Sequence, residues 1–292
     1  MIEVTRVNIL TFDEKALPEL ARSQGRVAVS FVKKGGDTCL QHLYQSGCGR
    51  VHFPTVDNQA YPEAVLINTA GGLTGGDDVS VEITVHEKAK VTVTGQAAEK
   101  IYKSVGPYVT SQTDLQVAAG AYLEWLPQET ILFNQARLHR VTKVDIEAGA
   151  RLLAVEATVL GRQAHGETMT NAALIDGWEI RREGHLVWFD RFRFDGNMEQ
   201  ALKRSALLGG ANAFATIVLV ASEIPEFVKL AREIADDTNG FIGVTSFDDT
   251  LMVVRVLNRD PYSLRKDVVR MLQNLRQKLA GAVVPMPAVW EV

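Results

Sequence analysis

Apolar and polar residues alternate along much of the first two-thirds of the chain, which places every second side chain on one face of a β-strand. The runs Arg26–Val32 and Thr38–Tyr44 alternate on either side of a Lys33–Asp37 turn and predict a β-hairpin. Glu179–Arg191 predicts a second hairpin, which turns at Glu183-Gly184. The pattern therefore favours strands with one buried face.

Three segments in the middle of the chain repeat one strand–turn–strand pattern: Val81–Val93, Asp114–Trp125 and Lys143–Ala154. In each, a strand ends at a β-branched residue and a short turn leads to an alanine; the pairs are Val85 and Ala89, Val117 and Ala121, and Ile146 and Ala150. The alanines lie 32 and 29 residues apart, a period typical of stacked supersecondary units. Such units predict a solenoid-like or sandwich-like β body; the alternative is a chance similarity between amphipathic hairpins.

The pattern changes after Gly209-Gly210. Strands are predicted at Ala213–Val220, Phe241–Thr245 and Leu251–Leu257, and helices at Ile224–Ala235 and from Asp260-Pro261 to about Ala280. We therefore predict a mainly β fold: a stacked, helical β body over residues 22–212, and a β-α-β-β-α layer over residues 213–292 packed on it. Because no Pro- or Ser-rich linker separates the two parts, residues 1–292 are expected to form one compact unit.

Composition narrows the function classes. The chain has 292 residues, of which 46% are hydrophobic and 23% charged, as in an ordinary globular protein. Its net charge of −4 provides no electrostatic footprint for nucleic acid or an anionic membrane. The first 31 residues include the charged residues Glu3, Arg6, Asp13, Glu14 and Lys15 and lack an apolar core, so no signal peptide is expected. Two cysteines in a chain of this length fit reduced thiols, and we expect a cytoplasmic protein.

The most distinctive segment is glycine-rich and lies between two predicted strands, at residues 68–78. Its four glycines, which are Gly71, Gly72, Gly75 and Gly76, predict two tight backbone reversals because glycine accepts positive φ without steric cost. Asp77 and Asp78 follow, and strand geometry would point one inward and the other outward. A phosphate-binding loop is disfavoured, since the spacing matches neither glycine motif for nucleotides, no helix follows, and two aspartates would repel a phosphate.

Local motifs for catalysis or tight metal binding are absent from the sequence. The six histidines are scattered and form no metal-binding spacing; they are His42, His52, His86, His139, His165 and His185. Cys39 and Cys48 form no C-x-x-C motif, and neither a G-x-S-x-G elbow nor a Rossmann fingerprint occurs. A tight metal site built from local spacing is therefore not expected.

Three carboxylates lie in apolar surroundings: Glu124, Glu156 and Asp190. A carboxylate inside a β interior is costly unless it is paired or hydrated. One interpretation is an ion pair with a nearby arginine, such as Arg151, Arg162 or Arg191; the other is a hydrated, functional carboxylate. The sequence leaves both open.

Several blocks of the sequence, in order and spacing, resemble the urease accessory protein D family, called H in some systems. The blocks are Ile67–Asp77, Gln96–Ser104, Leu123–Phe133, Arg151–Glu156, Leu160–Glu167 and Pro285–Trp290. The resemblance covers roughly residues 25–292. It departs from the family pattern at Glu99, where a smaller residue is expected, and it is loose over Cys48–Tyr61.

The resemblance implies a non-catalytic scaffold of β-rich helical fold that acts in urease maturation. Its implied partners are apo-urease and the accessory proteins F and G, with a dimer within the accessory complex. No cofactor would be held tightly; Ni²⁺ would be in transit through an internal tunnel lined partly by acidic groups. Matched onto this chain, the nickel-path candidates are Asp77, Asp78, Glu156 and Asp190. Isolated carboxylates in a wet channel suit transfer better than storage, because clustered imidazoles or thiolates would hold Ni²⁺ too tightly.

Two other interpretations stay open at this point. The chain is a hydrolase that uses Asp77, Asp78 or Glu156 as acid–base carboxylates, or it is a purely structural clamp with nickel travelling elsewhere. The sequence indicates no partner-binding surface, and it does not say whether Glu99, Cys48 or a histidine touches nickel.

Overall fold

A computed structural model describes residues 21–55, 61–162, 166–198, 202, 204, 207–238 and 240–291. Three predictions from the sequence fall partly outside these residues. They are the expectation of no signal peptide, which concerns mainly residues 1–20; the Gln163–His165 part of one block that resembles the family; and residues 56–60 of the segment where the resemblance is loose.

The structure consists of seventeen strands and two helices within the described residues. The strands are β1 (Gln24–Lys34), β2 (Asp37–Gly47), β3 (Gly49–His52), β4 (Glu63–Asn68), β5 (Asp78–Val85), β6 (Lys90–Gly95), β7 (Glu99–Ile101), β8 (Val109–Val117), β9 (Tyr122–Leu126), β10 (Thr130–Leu132), β11 (Arg137–Ile146), β12 (Arg151–Leu160), β13 (Asn171–Arg182), β14 (His185–Asn197), β15 (Ala213–Val220), β16 (Phe241–Phe247) and β17 (Leu251–Asn258). The helices are α1 (Ile224–Asp236) and α2 (Pro261–Ala280), and a 3₁₀ turn follows at Ala288–Trp290.

Two facing sheets form the body. Sheet A has the strand order β14-β13-β11-β8-β5-β1-β2, and sheet B has the order β16-β17-β15-β12-β9-β6-β4-β3. The chain passes from one sheet to the other and back between β5 and β13, so that neighbouring strands from successive coils run parallel. The short strands β7 and β10 lie on a third side of the coils, beside the two sheets, and β10 pairs with both β7 and β12. The mainly β, stacked fold predicted from the sequence is confirmed.

The predicted internal repeat corresponds to these coils. Val85 pairs with Val117, and Val117 pairs with Ile146, so the strand ends chosen from the sequence are neighbours in sheet A. The alanine of each unit is buried at the start of the return to sheet B. Ala89 O accepts a hydrogen bond from Tyr122 N at 2.9 Å, and Ala121 O accepts one from Arg151 N at 2.9 Å. The repeat therefore reflects one coil geometry used three times.

Both predicted hairpins and the order of the C-terminal elements are also confirmed. β1–β2 and β13–β14 are antiparallel hairpins. β15, β17 and β16 join sheet B next to β12, so the C-terminal strands continue a sheet of the body, and α1 and α2 cover its outer face. The boundary at residue 212 and the single-unit division stay predictions. No helix in the described ranges combines the length and apolar character needed to cross a membrane.

Local sequence explains where the two helices begin and end. α1 begins at Ile224-Pro225, and α2 begins at Pro261, where a missing N–H costs nothing in the first turn. The Asp260 side chain caps α2 by accepting a hydrogen bond from Ser263 N at 2.9 Å. Gly281 ends α2 with a φ of 66°, the left-handed conformation that glycine adopts freely.

Candidate functional site

A belt of polar side chains crosses the space between sheets A and B. Along β11 the inward positions read Leu138, Arg140, Thr142 and Val144, and along β12 they read Ala154, Glu156, Thr158 and Leu160. On each strand, two polar residues thus separate an apolar cluster at one end from another cluster at the opposite end. We call this feature the polar belt; its buried members are Thr113, Thr130, Arg140, Thr142, Glu156, Thr158, Asp176 and Thr216.

Arg140 lies at the centre of the polar belt and is almost completely buried. Its guanidinium forms two hydrogen bonds to the Asp176 carboxylate, Nε to Oδ1 at 2.9 Å and Nη2 to Oδ2 at 2.7 Å. It also donates to the hydroxyls of Thr130 and Thr158, at 3.0 and 3.2 Å. A paired arrangement of this kind offsets the cost of burying the guanidinium.

Glu156 is the second carboxylate beside Arg140. Its Oε1 accepts a hydrogen bond from Thr142 Oγ1 at 2.5 Å, and its Oε2 lies 3.3 Å from Arg140 Nε without hydrogen-bond geometry. Trp125 Nε1 lies close enough to lower the pKa of Glu156, yet it too makes no hydrogen bond of normal geometry to any described residue. Burial is the largest influence, and together with the negative charge of Asp176 it raises the pKa of Glu156 to about 7, against the lowering by Arg140 and Thr142.

The polar belt continues to the surface on the side of the two sheets where β14 and β17 lie. Glu156 pairs in register with Thr216 of β15, and Thr216 pairs with Arg255 of β17. Arg255 donates to Thr216 Oγ1 at 3.3 Å and forms a 2.8 Å ion pair with Asp190 of β14. The side chains of Arg255 and Asp190 are 42% and 28% exposed, so the row of polar residues that begins at Glu156 ends at the surface.

The charges of the belt respond to pH in the physiological range. When Glu156 is ionised, the group of Arg140, Asp176 and Glu156 carries one positive and two negative charges, and protonation of Glu156 makes it neutral. An interior with this charge balance attracts a cation and rejects an anion, as acidic groups do in cation pores. A proton on Glu156 is exchangeable near pH 7, which makes the attraction adjustable.

The raised pKa predicts a specific pH dependence for Glu156→Gln. The folded protein keeps the Glu156 proton up to about pH 7, whereas the unfolded chain releases it near the ordinary value of 4.5, so ionisation destabilises the folded state as pH rises between these values. The total loss corresponds to about 3 kcal/mol, and glutamine avoids it. We expect the free energy of unfolding of the variant, relative to the unchanged protein, to rise by about that amount from pH 4.5 to pH 8 in urea titrations. Glu82→Gln, at an exposed position, is the control, and its difference from the unchanged protein should stay constant with pH. A constant difference for Glu156→Gln as well would contradict the raised pKa of Glu156.

In the glycine-rich segment, the first aspartate has a structural role in its own loop. Asp77 is buried, and its two oxygens accept hydrogen bonds from Ser23 N at 2.8 Å and from Thr74 N at 2.7 Å. The carboxylate thus fastens its own loop to the residue before β1. Asp78 is exposed, so the prediction that the neighbouring aspartates point in opposite directions is confirmed. Among described residues, no hydrogen bond or ion pair joins either aspartate to Glu156 or Asp190.

The four glycines serve two purposes, because positive φ, the reason for predicting tight reversals, applies to three of them. Gly71, Gly72 and Gly76 have φ values of 73°, 144° and 94°. Gly75 has no positive φ, but a Cβ at this position would lie 2.3 Å from Pro107 O and 1.9 Å from Ser104 Oγ. Its requirement is therefore close backbone approach.

This difference predicts a large effect at Gly75. Gly75→Ala forces the loop away from the backbone of Pro107, and we expect it to cost about 2–3 kcal/mol in the free energy of unfolding. Gly36→Ala is the matched control, because a Cβ there meets no atom within 4 Å and φ is not positive. Urea unfolding of both variants checks the prediction; equal midpoints for the two would show that the close approach is unimportant.

Each of the three carboxylates in apolar sequence surroundings contacts an arginine, as the ion-pair interpretation predicted, but none of these arginines is one of the suggested partners. Glu156 contacts Arg140, Asp190 contacts Arg255, and Glu124 contacts Arg276. The predicted partners make other contacts: Arg151 with Leu279 O, Arg162 with Glu167, and Arg191 with Glu179. Arg140 and Asp176 were missed altogether. A signal was present, since both occupy inward positions of alternating strands whose other inward residues are mostly apolar.

Glu99 and Cys48, which the sequence left open, lie near the glycine-rich segment. Both Glu99 oxygens accept hydrogen bonds from Asn68 Nδ2, at 3.1 and 2.9 Å, and burial raises the pKa of this carboxyl. Burial also raises the pKa of the Cys48 thiol. Within the described part of the chain, His, Cys, Asp and Glu side chains form no group of three or more placed to hold a metal ion.

Comparison with known proteins connects this architecture to one family. The UreD urease accessory protein family matches residues 23–291. Proteins named urease accessory protein UreD from Magnetococcus marinus, Rhodopseudomonas palustris and Rhizobium etli are 39%, 39% and 38% identical to the chain. These alignments cover 92%, 96% and 94% of the chain and 94%, 96% and 97% of the relatives. The coverage is nearly complete in both directions, and the chain belongs to the UreD family of urease accessory proteins.

Proposed function

We propose that this protein is a non-catalytic cytoplasmic scaffold of urease maturation that conveys Ni²⁺ towards the active site of apo-urease. In this proposal it works in a complex with apo-urease and the accessory proteins F and G. The family supports a role in urease maturation, and its members are named accessory proteins. Nickel transfer and the individual partners are our proposal.

The observation that carries the nickel proposal is the polar belt. A charged cluster in the middle of a β interior costs free energy, and apolar residues of similar size would be at least as stable there. Function explains why the belt keeps Arg140, Asp176 and Glu156 in place and extends through Thr216 to the surface pair of Asp190 and Arg255.

The chemistry of the belt fits a cation in passage. Carboxylate oxygens with threonine hydroxyls bind Ni²⁺ weakly compared with imidazole or thiolate groups. Among the described residues, no group donates a hydrogen bond to Glu156 Oε2, which lies 3.3 Å from Arg140 Nε, so this oxygen has capacity for a passing ion while Arg140 hydrogen-bonds to Asp176. The fixed guanidinium limits how strongly a cation is held. Release is as necessary as entry for a path of this kind.

Among the four nickel-path candidates, the geometry supports two. Glu156 and Asp190 lie on the polar belt. Asp77 is engaged with two backbone amides, and Asp78 faces solvent, so we propose no path through them. The same divergence weakens the hydrolase interpretation, because Asp77 and Asp78 do not face one common site.

Nickel content of urease tests this proposal directly. Urease subunits and the other accessory proteins are co-expressed with the unchanged chain, without it, or with Glu156→Gln/Asp190→Asn, and nickel per active site is measured together with ureolytic activity. We expect both to fall severalfold with the double variant, because the belt loses two carboxylates while the shape of its side chains is kept.

The matched control is Asp78→Asn, which removes an exposed carboxylate outside the belt. It is expected to support normal loading. Normal loading by the double variant would remove the nickel path and leave the maturation role. Normal loading without the chain would overturn the proposed function as a whole.

A further inference from the structure

A row of packed side chains lies on the outer surface of the third side of the coils, the side that contains β7 and β10. The Tyr102 ring packs edge-to-face on the Phe133 ring with centroids 4.9 Å apart. The Arg162 guanidinium lies over the Phe133 ring, 4.2 Å from its centroid. On the opposite side, the Tyr102 ring lies against the backbone of Gly72. We call these four residues the aromatic row.

Consecutive coils place these residues side by side. The inward neighbours Leu73, Ile101, Leu132 and Leu160 form one buried ladder, in which Leu73 bridges to Ile101, and β10 pairs with both β7 and β12. Adjacent strands are about 4.8 Å apart, so three steps give the row a length of about 15 Å. This length suits one short extended segment or one face of a helix.

The aromatic row is held rigidly before any partner arrives. A Cβ on Gly72 would lie 2.5 Å from Tyr102 Cε2, so only glycine permits the observed packing, and Tyr102 OH donates to Gly71 O at 3.3 Å. Arg162 is fixed by an ion pair with Glu167 at 3.2 Å. Nevertheless, Tyr102 remains 38% exposed and the Arg162 side chain 44%. Rigid, part-exposed Tyr and Arg side chains are typical of residues that dominate binding energy at protein interfaces.

The charges around the row favour one kind of partner. Lys100 and Lys103 flank Tyr102 and are exposed, and among the described residues neither forms an ion pair, although the charge of Lys100 acts on the neighbouring Glu99 carboxyl. Nearby carboxylates are already engaged: Glu129 pairs with Arg265 at 2.7 Å, and Glu99 is held by Asn68. The protein as a whole carries a net charge of −4, so a cationic surface here is a local exception. Two exposed lysines are too few for a nucleic-acid footprint, and they complement an acidic protein surface.

We infer that the aromatic row and its flanking lysines form a docking surface for an acidic segment of a protein partner, with an apolar side chain of that segment packed on Tyr102. The inference rests on the proposed function, since it assigns this surface to one of the maturation partners. Val105 adds apolar area in the loop that follows Lys103 and is 82% exposed.

Charge reversal tests the surface without disturbing the fold. The purified full-length chain and its Lys100→Glu/Lys103→Glu variant are titrated separately with apo-urease, accessory protein F and accessory protein G by calorimetry, at low and high salt. We expect the affinity for one of the three proteins to fall by about tenfold or more, and added salt no longer to weaken this binding, because attraction to an acidic segment becomes repulsion that salt screens. Tyr102→Ala is expected to weaken binding to the same protein.

Lys33→Glu/Lys34→Glu provides the control, since it makes the same charge change in the β1–β2 hairpin. This variant should bind all three proteins normally. Normal binding by the Lys100/Lys103 variant, or equal weakening by both lysine variants, would overturn the docking surface while the proposed function stands. If the unchanged chain binds none of the three, the proposed function fails, and the docking inference fails with it.

Discussion

Replacing Arg140 by methionine is expected to destabilise the protein by about 3–5 kcal/mol at pH 8, because removal of one member of a buried ion pair leaves uncompensated charge. Arg140 supplies two hydrogen bonds to Asp176 and the nearest positive charge to Glu156. Methionine has a similar length and is apolar, so the loss is one of charge and hydrogen bonds more than of packing. Urea unfolding, followed by far-UV circular dichroism, measures the change.

The destabilisation should depend on pH with a defined sign. Without Arg140, which lowers the pKa of Glu156, this carboxyl holds its proton to higher pH, so the penalty is largest above neutrality and shrinks as pH falls. The double variant Arg140→Met/Asp176→Asn should lose less unfolding free energy than Arg140→Met alone, because it also removes the carboxylate that Arg140 pairs with most closely. Arg255→Met is the control: it breaks a part-exposed ion pair with Asp190, and its expected cost is within about 1 kcal/mol. Equal losses for Arg140→Met and Arg255→Met would show that the cluster is not a buried ion pair in solution.

The polar belt also shows how far the sequence could lead. Strand alternation is a local property, so it located the hairpins, the coil repeat and the C-terminal elements to within a few residues. It identified Glu156 as an unusual carboxylate in an apolar run. Its partner could not be found from neighbouring residues, because Arg140 lies on a strand of the facing sheet. Which side chains meet across two sheets depends on the stagger of the coils, and alternation does not encode that stagger.

The glycine-rich segment illustrates a different limit. Its unusual composition indicated a sharply bent corner, and the corner exists. The resemblance then placed Asp77 and Asp78 on the nickel path, a role that stays untested. In the structure, the carboxylate of Asp77 fulfils a need that the sequence cannot display, namely two backbone N–H groups without other partners at the turn. An aspartate that closes a loop and one that binds a cation look identical in a sequence.

The second large effect is expected at Arg276, which attaches α2 to sheet B. Arg276 donates to both oxygens of Glu124, Nε to Oε1 at 2.9 Å and Nη2 to Oε2 at 2.8 Å, and both side chains are almost completely buried. It also contacts the chain end by donating to Pro285 O. Arg276→Met is expected to cost about 3–5 kcal/mol, because among the described residues Glu124 would keep only the hydroxyls of Tyr122 and Thr92 as donors.

The consequence should extend beyond global stability to the last turn of the chain. Trp290 is buried and donates from Nε1 to Leu126 O at 3.1 Å, and Pro285 precedes it in the segment that Arg276 holds. The variant should therefore show a red-shifted tryptophan emission and faster proteolysis near the C-terminus, since both report exposure of this segment. Arg270→Met on the same helix removes an exposed pair with Asp237 and is expected to change stability by less than about 1 kcal/mol. A stability loss for Arg276→Met without any change at the C-terminus would separate the two roles. Such a result would leave Arg276 as the partner of Glu124 alone.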